Sequence, residues 1–317
     1  MPTPAFRGRP APNGNTRHRV ARGSARNLRP RRAVRADRRK RYAGPVSADA
    51  ATAWRDALDS WAIPQEILDA APESPWGCPV ELFARRADTP REPTPTDLRA
   101  KEALPDGGTV LDVGCGAGAA SIGLAALASH VTGVDGSAGM LDAFRERAGA
   151  AGVAATTIEG MWPDAARRTP SADVVVCSHV VYNVPDAPPF ARALTNHARR
   201  RVVVELMSVH PVSNLNDLWL RFHGLRRPTE PTADDYAAVV REMGIEASRA
   251  DWVVRDWHGG FSRPEDLVAF VRRRICLTPD RDPEVWEAIR ERVVERDGTF
   301  GLPPRPNVTL WWQGTAD

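Results

Sequence analysis

Cysteine and long apolar runs are scarce in this chain of 317 residues. The four cysteines, Cys78, Cys115, Cys177 and Cys276, are widely spaced and form no Cys-x-x-Cys pair. The sequence therefore predicts neither a zinc site nor a disulfide framework, and no metal cofactor. No segment approaches the roughly 18 apolar residues of a membrane span, and the N-terminus lacks the apolar stretch of a signal peptide. We expect a cytoplasmic protein without a membrane span.

Lysine is nearly absent, with only Lys40 and Lys101, so arginine supplies most of the basic charge. Such usage is typical of GC-rich genomes, including those of actinobacteria. The formal net charge of +3 hides a split: residues 1–45 hold 14 Lys and Arg but one acid, Asp37, whereas the remainder has a net charge of −10. The net negative charge of residues 46–317 argues against a surface that binds along a nucleic-acid backbone.

The first 92 residues contain two kinds of segment. Residues 1–45 are rich in Arg, Pro and Gly without apolar periodicity, which predicts a disordered, solvated tail; a basic arm that holds RNA, DNA or anionic lipid is the alternative. Residues 46–92 predict an N-terminal helical cap. In that cap, Trp76 and Phe83 are candidates for lining a pocket, with core packing as the alternative.

A glycine-rich turn organises the rest of the chain. A short apolar strand runs into Gly114, Gly116 and Gly118, and the pattern predicts that a helix over Ser121–Ser129 follows. Glycines at alternate positions remove Cβ where the backbone passes close to a ligand, so the turn favours a nucleotide-like ligand. The glycines alone also fit a dinucleotide-binding fingerprint.

Two acidic residues distinguish these possibilities. Asp112 lies inside the first strand, where a nicotinamide-binding strand would carry an apolar residue, and a second strand ends at Asp135, before Gly136 and Met140. This combination resembles the S-adenosylmethionine (SAM) site of class I methyltransferases. The resemblance implies that the glycine turn lies under the methionine part of SAM, that Asp135 binds the ribose hydroxyls and that Met140 packs on adenine.

The same resemblance assigns further positions to the cofactor site. These are Asp112, Cys115, Gly136, Met161, Trp162 and Ser178. Members of the family commonly carry an acid for the adenine amino group where this chain has Met161, so we expect Met161 or Trp162 to pack against the ring instead. Asp135 as a helix N-cap and Met140 as a core residue are the alternatives.

The remaining pattern alternates strands and helices and predicts an α/β fold. We expect a Rossmann-like, seven-stranded, mostly parallel sheet with helices on both faces over residues 93–317, with insertions at about 208–231 and 258–303. The later strands are predicted at 154–159, 172–177, 201–207, 246–257 and 307–312.

Candidate catalytic residues follow the fourth and fifth strands, since ligands of open α/β sheets bind outside the carboxyl ends of strands. His179 is the candidate general base, with a role in orienting its loop or contacting the cofactor as the alternative. Tyr182, Glu205 and His223 are candidates for substrate contact, and Glu205, His210 and His223 are second choices for the base.

The loop over residues 178–184 lacks the Asn/Asp-Pro-Pro-aromatic tetrad and the Pro-Cys nucleophile of nucleic-acid methyltransferases. It is more similar to methyltransferases of the quinone and natural-product type. The resemblance thus implies methyl transfer from SAM to a small molecule. The alternatives are an RNA methyltransferase that uses residues 1–45 and a non-catalytic protein that binds SAM or a nicotinamide cofactor.

Overall fold

The structure is a computed structural model that describes residues 50–76, 92–253 and 260–317. The expected tail over residues 1–45 and the candidate Phe83 lie outside the described residues.

The core of the described chain is a seven-stranded sheet with the order β3-β2-β1-β4-β5-β9-β6. Neighbours from β3 to β5 pair in parallel, and β9 pairs antiparallel with both β5 and β6. The strands are β1 (Gly108–Val113), β2 (Ala128–Asp135), β3 (Ala154–Glu159), β4 (Ala172–Ser178), β5 (Ala198–Met207), β6 (Ser248–Val253), β7 (Val294–Arg296), β8 (Thr299–Gly301) and β9 (Pro306–Gln313). The predicted mostly parallel sheet is confirmed, and β7 and β8 form a separate hairpin that was not predicted.

The central strands are apolar because both faces of the sheet are covered. Along β4, Val174 and Val176 join one core cluster, whereas Val175 and Cys177 join the other. All four side chains are fully buried. Burying a valine stabilises the fold by about 1.5–3 kcal/mol, so the alternation fixes the register of the strand between two helical layers.

Three of the described helices precede β1, and the others lie between the strands and in the two insertions. They are α1 (Ala50–Asp59), α2 (Gln65–Ala70), α3 (Pro95–Ala103), α4 (Ala138–Ala150), α5 (Ala187–His197), α6 (Asn216–His223), α7 (Ala233–Glu242), α8 (Pro264–Arg274) and α9 (Asp282–Ile289). The predicted cap of α7 is confirmed, since Thr232 and Asp235 form a capping box. None of the described helices combines the length and apolarity needed to cross a membrane.

The first helix packs beside the loop that follows β4. Trp54 is fully buried, and its Nε1 donates a hydrogen bond to the carbonyl oxygen of Val184 at 2.8 Å. Its ring packs against Tyr182 and Tyr236, with centroids 5.6 and 5.4 Å away. The contacts bring α1 to the carboxyl edge of the sheet, where the expected cap would lie, although the proposed boundaries of 46–92 stay a prediction.

The helix predicted over Ser121–Ser129 is wrong. The segment holds only a single 3₁₀ turn, Ile122–Leu124, before β2 begins at Ala128. The hydroxyl of Ser121 is bonded to Asp112, and the Leu127 carbonyl accepts a hydrogen bond from the backbone N of Gly107 at 2.8 Å. Both ends of the segment are therefore held beside β1 and the residue before it, so the chain turns here instead of extending as an α-helix.

The two insertions pack on each other. A third apolar cluster joins Leu218 and Trp219 of α6 to Val271 of α8 and Val285 of α9. The described part of the predicted sixth strand forms β6, which begins at Ser248 rather than at residue 246, and residues 254–257 of that prediction lie outside the described residues.

Candidate active site

The glycine turn after β1 is closed by the end of β2. The backbone N atoms of Gly114 and Cys115 donate to the Val134 carbonyl at 2.8 and 3.1 Å. Gly114 has φ 68, and a Cβ on it would lie 2.3 Å from Cγ2 of Val180. Gly116 has φ 49, and a Cβ there would meet no described atom within 4 Å. Packing thus requires Gly114 to be small, whereas Gly116 faces open space that a ligand can fill.

Asp135 joins β2 to this turn. Its Oδ2 accepts a hydrogen bond from the backbone N of Gly116 at 2.9 Å, and its Oδ1 accepts one from the backbone N of Ser137 at 2.9 Å. Ser137 is the N-cap of α4, and its hydroxyl accepts from the backbone N of Met140. The alternative of Asp135 as the helix N-cap is therefore not supported. Its carboxylate has further lone pairs with which to accept from ribose hydroxyls.

Asp112 is buried directly beneath the turn. It accepts a hydrogen bond of 2.6 Å from the hydroxyl of Ser121. Burial, reinforced by the charge of nearby Asp135, raises the pKa of Asp112 to about 7, against the opposing effect of the Ser121 hydrogen bond. A cationic group bound above the turn would favour its ionised form.

The other predicted cofactor residues differ in whether their side chains are accessible to a ligand. Cys115 is buried with its Sγ in the core, so only its backbone can face a ligand. Met161 is 68% exposed and lies beside Gly136, on which a Cβ would meet its Sδ at 2.7 Å. Met140 is half-buried in the first turn of α4. The exposed thioether of Met161 therefore borders the same strand end as Asp135.

Of Met161 and Trp162, the two alternatives for packing against adenine, Trp162 is not exposed to a ligand. Its side chain is buried in the core, where its ring meets the edge of His197 at a centroid distance of 4.9 Å and its Nε1 bonds to the Phe190 carbonyl. The indole points under α5 because that face of the helix offers the apolar surface that the ring must bury.

His179 and Glu205 meet at the carboxyl ends of β4 and β5. Nε2 of His179 lies 2.9 Å from Oε1 of Glu205, and the backbone N of His179 donates to the Glu205 carbonyl at 2.8 Å. The His179 side chain is 41% exposed, whereas that of Glu205 is 12% exposed. His179 has φ 60, a left-handed conformation that is strained for a residue with a Cβ and that is often associated with function. Ser178, the last residue of β4, is half-buried beside this pair.

The residue after His179 connects this pair to the glycine turn. Val180 fills the space above Gly114 that a Cβ would occupy. Because His179 and Val180 are adjacent, the imidazole is attached to a loop that packs directly on the turn. The structure thus brings the candidate base and the candidate cofactor loop together.

Two predicted substrate residues have polar atoms that contact the backbone within the fold. Tyr182 is buried, and its hydroxyl donates to the Met207 carbonyl at 2.8 Å. Nε2 of His223 lies 2.7 Å from the Ile275 carbonyl oxygen, and its ring packs on Trp219. The Tyr182 hydroxyl and Nε2 of His223 thus each lie against a backbone carbonyl of the fold, and substrate contact by these two residues stays a prediction.

His210 is also not placed to act as a base. It is buried, and its ring stacks on Trp61 with centroids 3.8 Å apart. Burial and the positive charges of Arg227 and Arg305 lower the pKa of His210 to about 4, so it is neutral near pH 7.

Sequence reasoning missed three residues around the turn. Ser121 bonds to Asp112, Val180 packs on Gly114, and Nη1 of Arg147 donates to the carbonyl of Ala117 at 2.5 Å. A single sequence carries no signal for these contacts, since each joins a residue of ordinary type to one distant along the chain.

Comparison with known proteins gives one family match. Residues 110–201 match a family model described as a methyltransferase domain. A search of curated proteins finds no match. Among solved structures, the chain is similar to the YcgJ protein of Bacillus subtilis (16% identity, TM-score 0.47, covering 69% of this chain and 97% of that one). It is also similar to a putative sarcosine dimethylglycine methyltransferase of Galdieria sulphuraria (14% identity, TM-score 0.42, covering 83% and 100%).

Proposed function

We propose that this chain, a class I methyltransferase with SAM as its cofactor, transfers the methyl group to a small organic acceptor. The family model confirms the enzyme class predicted from the glycine turn. The identity of the acceptor and the roles of the site residues belong to the proposal.

The observation that carries this mechanism is the His179–Glu205 pair beside the glycine turn. Methyl transfer from a sulfonium is an in-line displacement, and a general base is needed when the nucleophile arrives protonated. With Nε2 donating to Glu205, Nδ1 of His179 is left to accept a proton from a hydroxyl or amine. The Glu205 carboxylate then stabilises the imidazolium that forms and holds the ring in one tautomer.

The cofactor is held by this chain's own residues on the other side of the same loop. Backbone at Gly116 faces the open space, Asp135 accepts from the ribose hydroxyls, and Met161 and Met140 border the adenine end. SAM supplies the electrophilic methyl group when it is bound. The protein fixes its position and excludes water from the transfer.

Charge and sequence support a small acceptor. The body of the chain has a net charge of −10, which disfavours a long polyanion. The end of β4 and the loop after it carry Ser178, His179 and Tyr182 rather than the motifs with which nucleic-acid methyltransferases bind a base. We also propose a cytoplasmic location, which the three buried free thiols of Cys115, Cys177 and Cys276 support.

The first test is a calorimetric titration of the protein with SAM, S-adenosylhomocysteine and NAD. We expect saturable binding of the first two and none of NAD. The protein is then incubated with radiolabelled SAM and a small-molecule extract, or with total RNA. Label in the small-molecule fraction supports the proposal, whereas label in RNA that depends on residues 1–45 favours an RNA methyltransferase. SAM binding without turnover on either substrate favours a non-catalytic protein.

A further inference from the structure

Two carboxylates flank the glycine turn on one face of the sheet. Val110 of β1 and Val131 of β2 pair in the ladder and belong to the same core cluster. Asp112 lies two residues after Val110, and Asp135 lies four residues after Val131. Because side chains alternate along a strand, both acids face the same side of the sheet as the two valines. Both carboxylates therefore lie at the turn that holds the cofactor in the proposed function.

Asp112 is the buried member of this pair of acids. It is 1% exposed, and the Ser121 hydroxyl at 2.6 Å is its one hydrogen-bond partner among the described residues. Asp135, in contrast, is half-buried and accepts hydrogen bonds from two backbone N atoms. A single neutral hydroxyl does not compensate for the burial of an ionised carboxylate. In the empty site, the ionised form of Asp112 is therefore unfavourable.

The groups around Asp112 do not neutralise a charge on it. Asp135 on β2 adds negative charge, and burial raises the pKa of the thiols of Cys115 in the turn and Cys177 on β4, which stay neutral. From α4, Arg147 reaches the turn, where its Nη1 donates to a backbone carbonyl at 2.5 Å. Within the described chain, no Lys, Arg or His forms an ion pair with Asp112. The protein thus leaves a place for a positive charge at this turn.

The cofactor brings such a charge, and its product brings less. Burial raises the pKa of Asp112 to about 7, with the Ser121 hydrogen bond opposing this rise and the charge of Asp135 reinforcing it. Near pH 7, Asp112 is therefore protonated in about half of the empty molecules. A nearby cation favours the ionised carboxylate. SAM carries a sulfonium and an ammonium against one carboxylate, whereas S-adenosylhomocysteine lacks the sulfonium and has no net charge.

We propose that Asp112 releases a proton to solvent when SAM binds, so that the site distinguishes the cationic cofactor from its uncharged product. This inference rests on the proposed function, since it concerns the same cofactor site. The charge of SAM acts across the turn and needs no contact with the buried carboxylate. Ser121 is a positioning residue, because its hydrogen bond holds Asp112 and sets the pH at which the proton is lost.

Calorimetry of the full-length protein measures the proton that is released. SAM is titrated at pH 6.5 in buffers of different ionisation enthalpy, and the dependence of the observed heat on the buffer gives the number of protons. We expect about 0.8 proton per bound SAM. The affinity for SAM should rise roughly eightfold from pH 6 to pH 7.5, whereas that for S-adenosylhomocysteine should change less than about threefold.

Two variants assign the proton to its residue. Asp112→Asn keeps the size of the side chain but cannot titrate, so it should release no proton and bind SAM equally at pH 6 and pH 7.5. Ser121→Ala should move the pH dependence of SAM binding to higher pH, because it removes the hydrogen bond that favours the ionised form. His179→Ala should still release the proton, which separates Asp112 from the pair of His179 and Glu205. Retained binding of S-adenosylhomocysteine shows that each variant is folded.

Asp142→Asn is the matched control. Asp142 is an exposed acid of α4 that pairs with Arg145, so this variant should release as many protons as the wild type. Failure of SAM to bind at any pH would defeat the proposed function. Saturable SAM binding without proton release, or equal release in Asp112→Asn, would overturn the inference and leave the proposed function standing. The same pH dependence for SAM and S-adenosylhomocysteine, or an unshifted dependence in Ser121→Ala, would likewise contradict it.

Discussion

His179 is bonded twice to Glu205, once through the imidazole Nε2 at 2.9 Å from Oε1 and once through its backbone N at 2.8 Å from the carbonyl oxygen. The backbone bond continues the ladder in which Ser178 pairs with Glu205. It does not depend on either side chain. Substitution of either side chain should therefore remove the chemistry of the pair and leave the loop in place.

His179→Ala should lower turnover by about 10²–10⁴-fold with little change in S-adenosylhomocysteine affinity, because it removes a general base but no cofactor contact. Glu205→Gln should have a smaller effect of about tenfold, since the amide still accepts from Nε2 but carries no charge. Single-turnover kinetics with an acceptor from the extract screen measures both. His130→Ala, which changes a histidine on β2, is the control and should keep full turnover. Full turnover in His179→Ala would show that His179 is not the general base.

Asp135→Ala should weaken S-adenosylhomocysteine by about 100-fold. The variant loses the bonds that the carboxylate offers to the ribose and also frees the backbone N of Gly116; hydrogen bonds to charged groups contribute about 1.5–3 kcal/mol each. Calorimetry measures the affinity, and thermal unfolding should show a folded protein. Asp142→Ala, an exposed acid of α4 paired with Arg145, is the matched control. Unchanged affinity in Asp135→Ala would contradict the assignment of the ribose site.

Two glycine substitutions should separate packing from ligand binding. Gly116→Ala should reduce the free energy of unfolding by about 1 kcal/mol, the strain of a positive φ, yet severely weaken S-adenosylhomocysteine. Gly114→Ala introduces the same backbone strain, and its Cβ also forces Val180 away. We therefore expect the free energy of unfolding to fall by about 3 kcal/mol. Urea unfolding and calorimetry on both variants provide the comparison. Equal loss of stability would show that Gly116 is also constrained by packing.

The sequence predicted elements better than the directions of side chains. The apolar runs of β4 and β5 and the Thr232–Asp235 capping box are local patterns. Each is found at its predicted position because residues close together in the sequence determine it. The supposed helix after the glycine turn failed because contacts from distant residues hold both of its ends. Trp162 points into the core and Nε2 of His223 lies against the Ile275 carbonyl, since a single residue type does not reveal which neighbour it meets. The pairing of His179 with Glu205 likewise depends on strand order, which periodicity does not encode.

Acid should destabilise the protein through His210. The folded-state pKa of about 4 lies below the usual value of 6.5, so the unfolded chain binds a proton that the folded chain excludes. The stability that depends on neutral His210 is complete above about pH 6.5 and falls as the pH decreases toward 4, by about 3 kcal/mol in total. His210→Phe keeps an aromatic ring against Trp61 but cannot titrate. Urea unfolding from pH 7 to 4 should therefore show the wild type losing about 3 kcal/mol relative to His210→Phe, while His130→Phe follows the wild type. Parallel curves for the wild type and His210→Phe would show that His210 is already protonated in the folded protein or never buried within it.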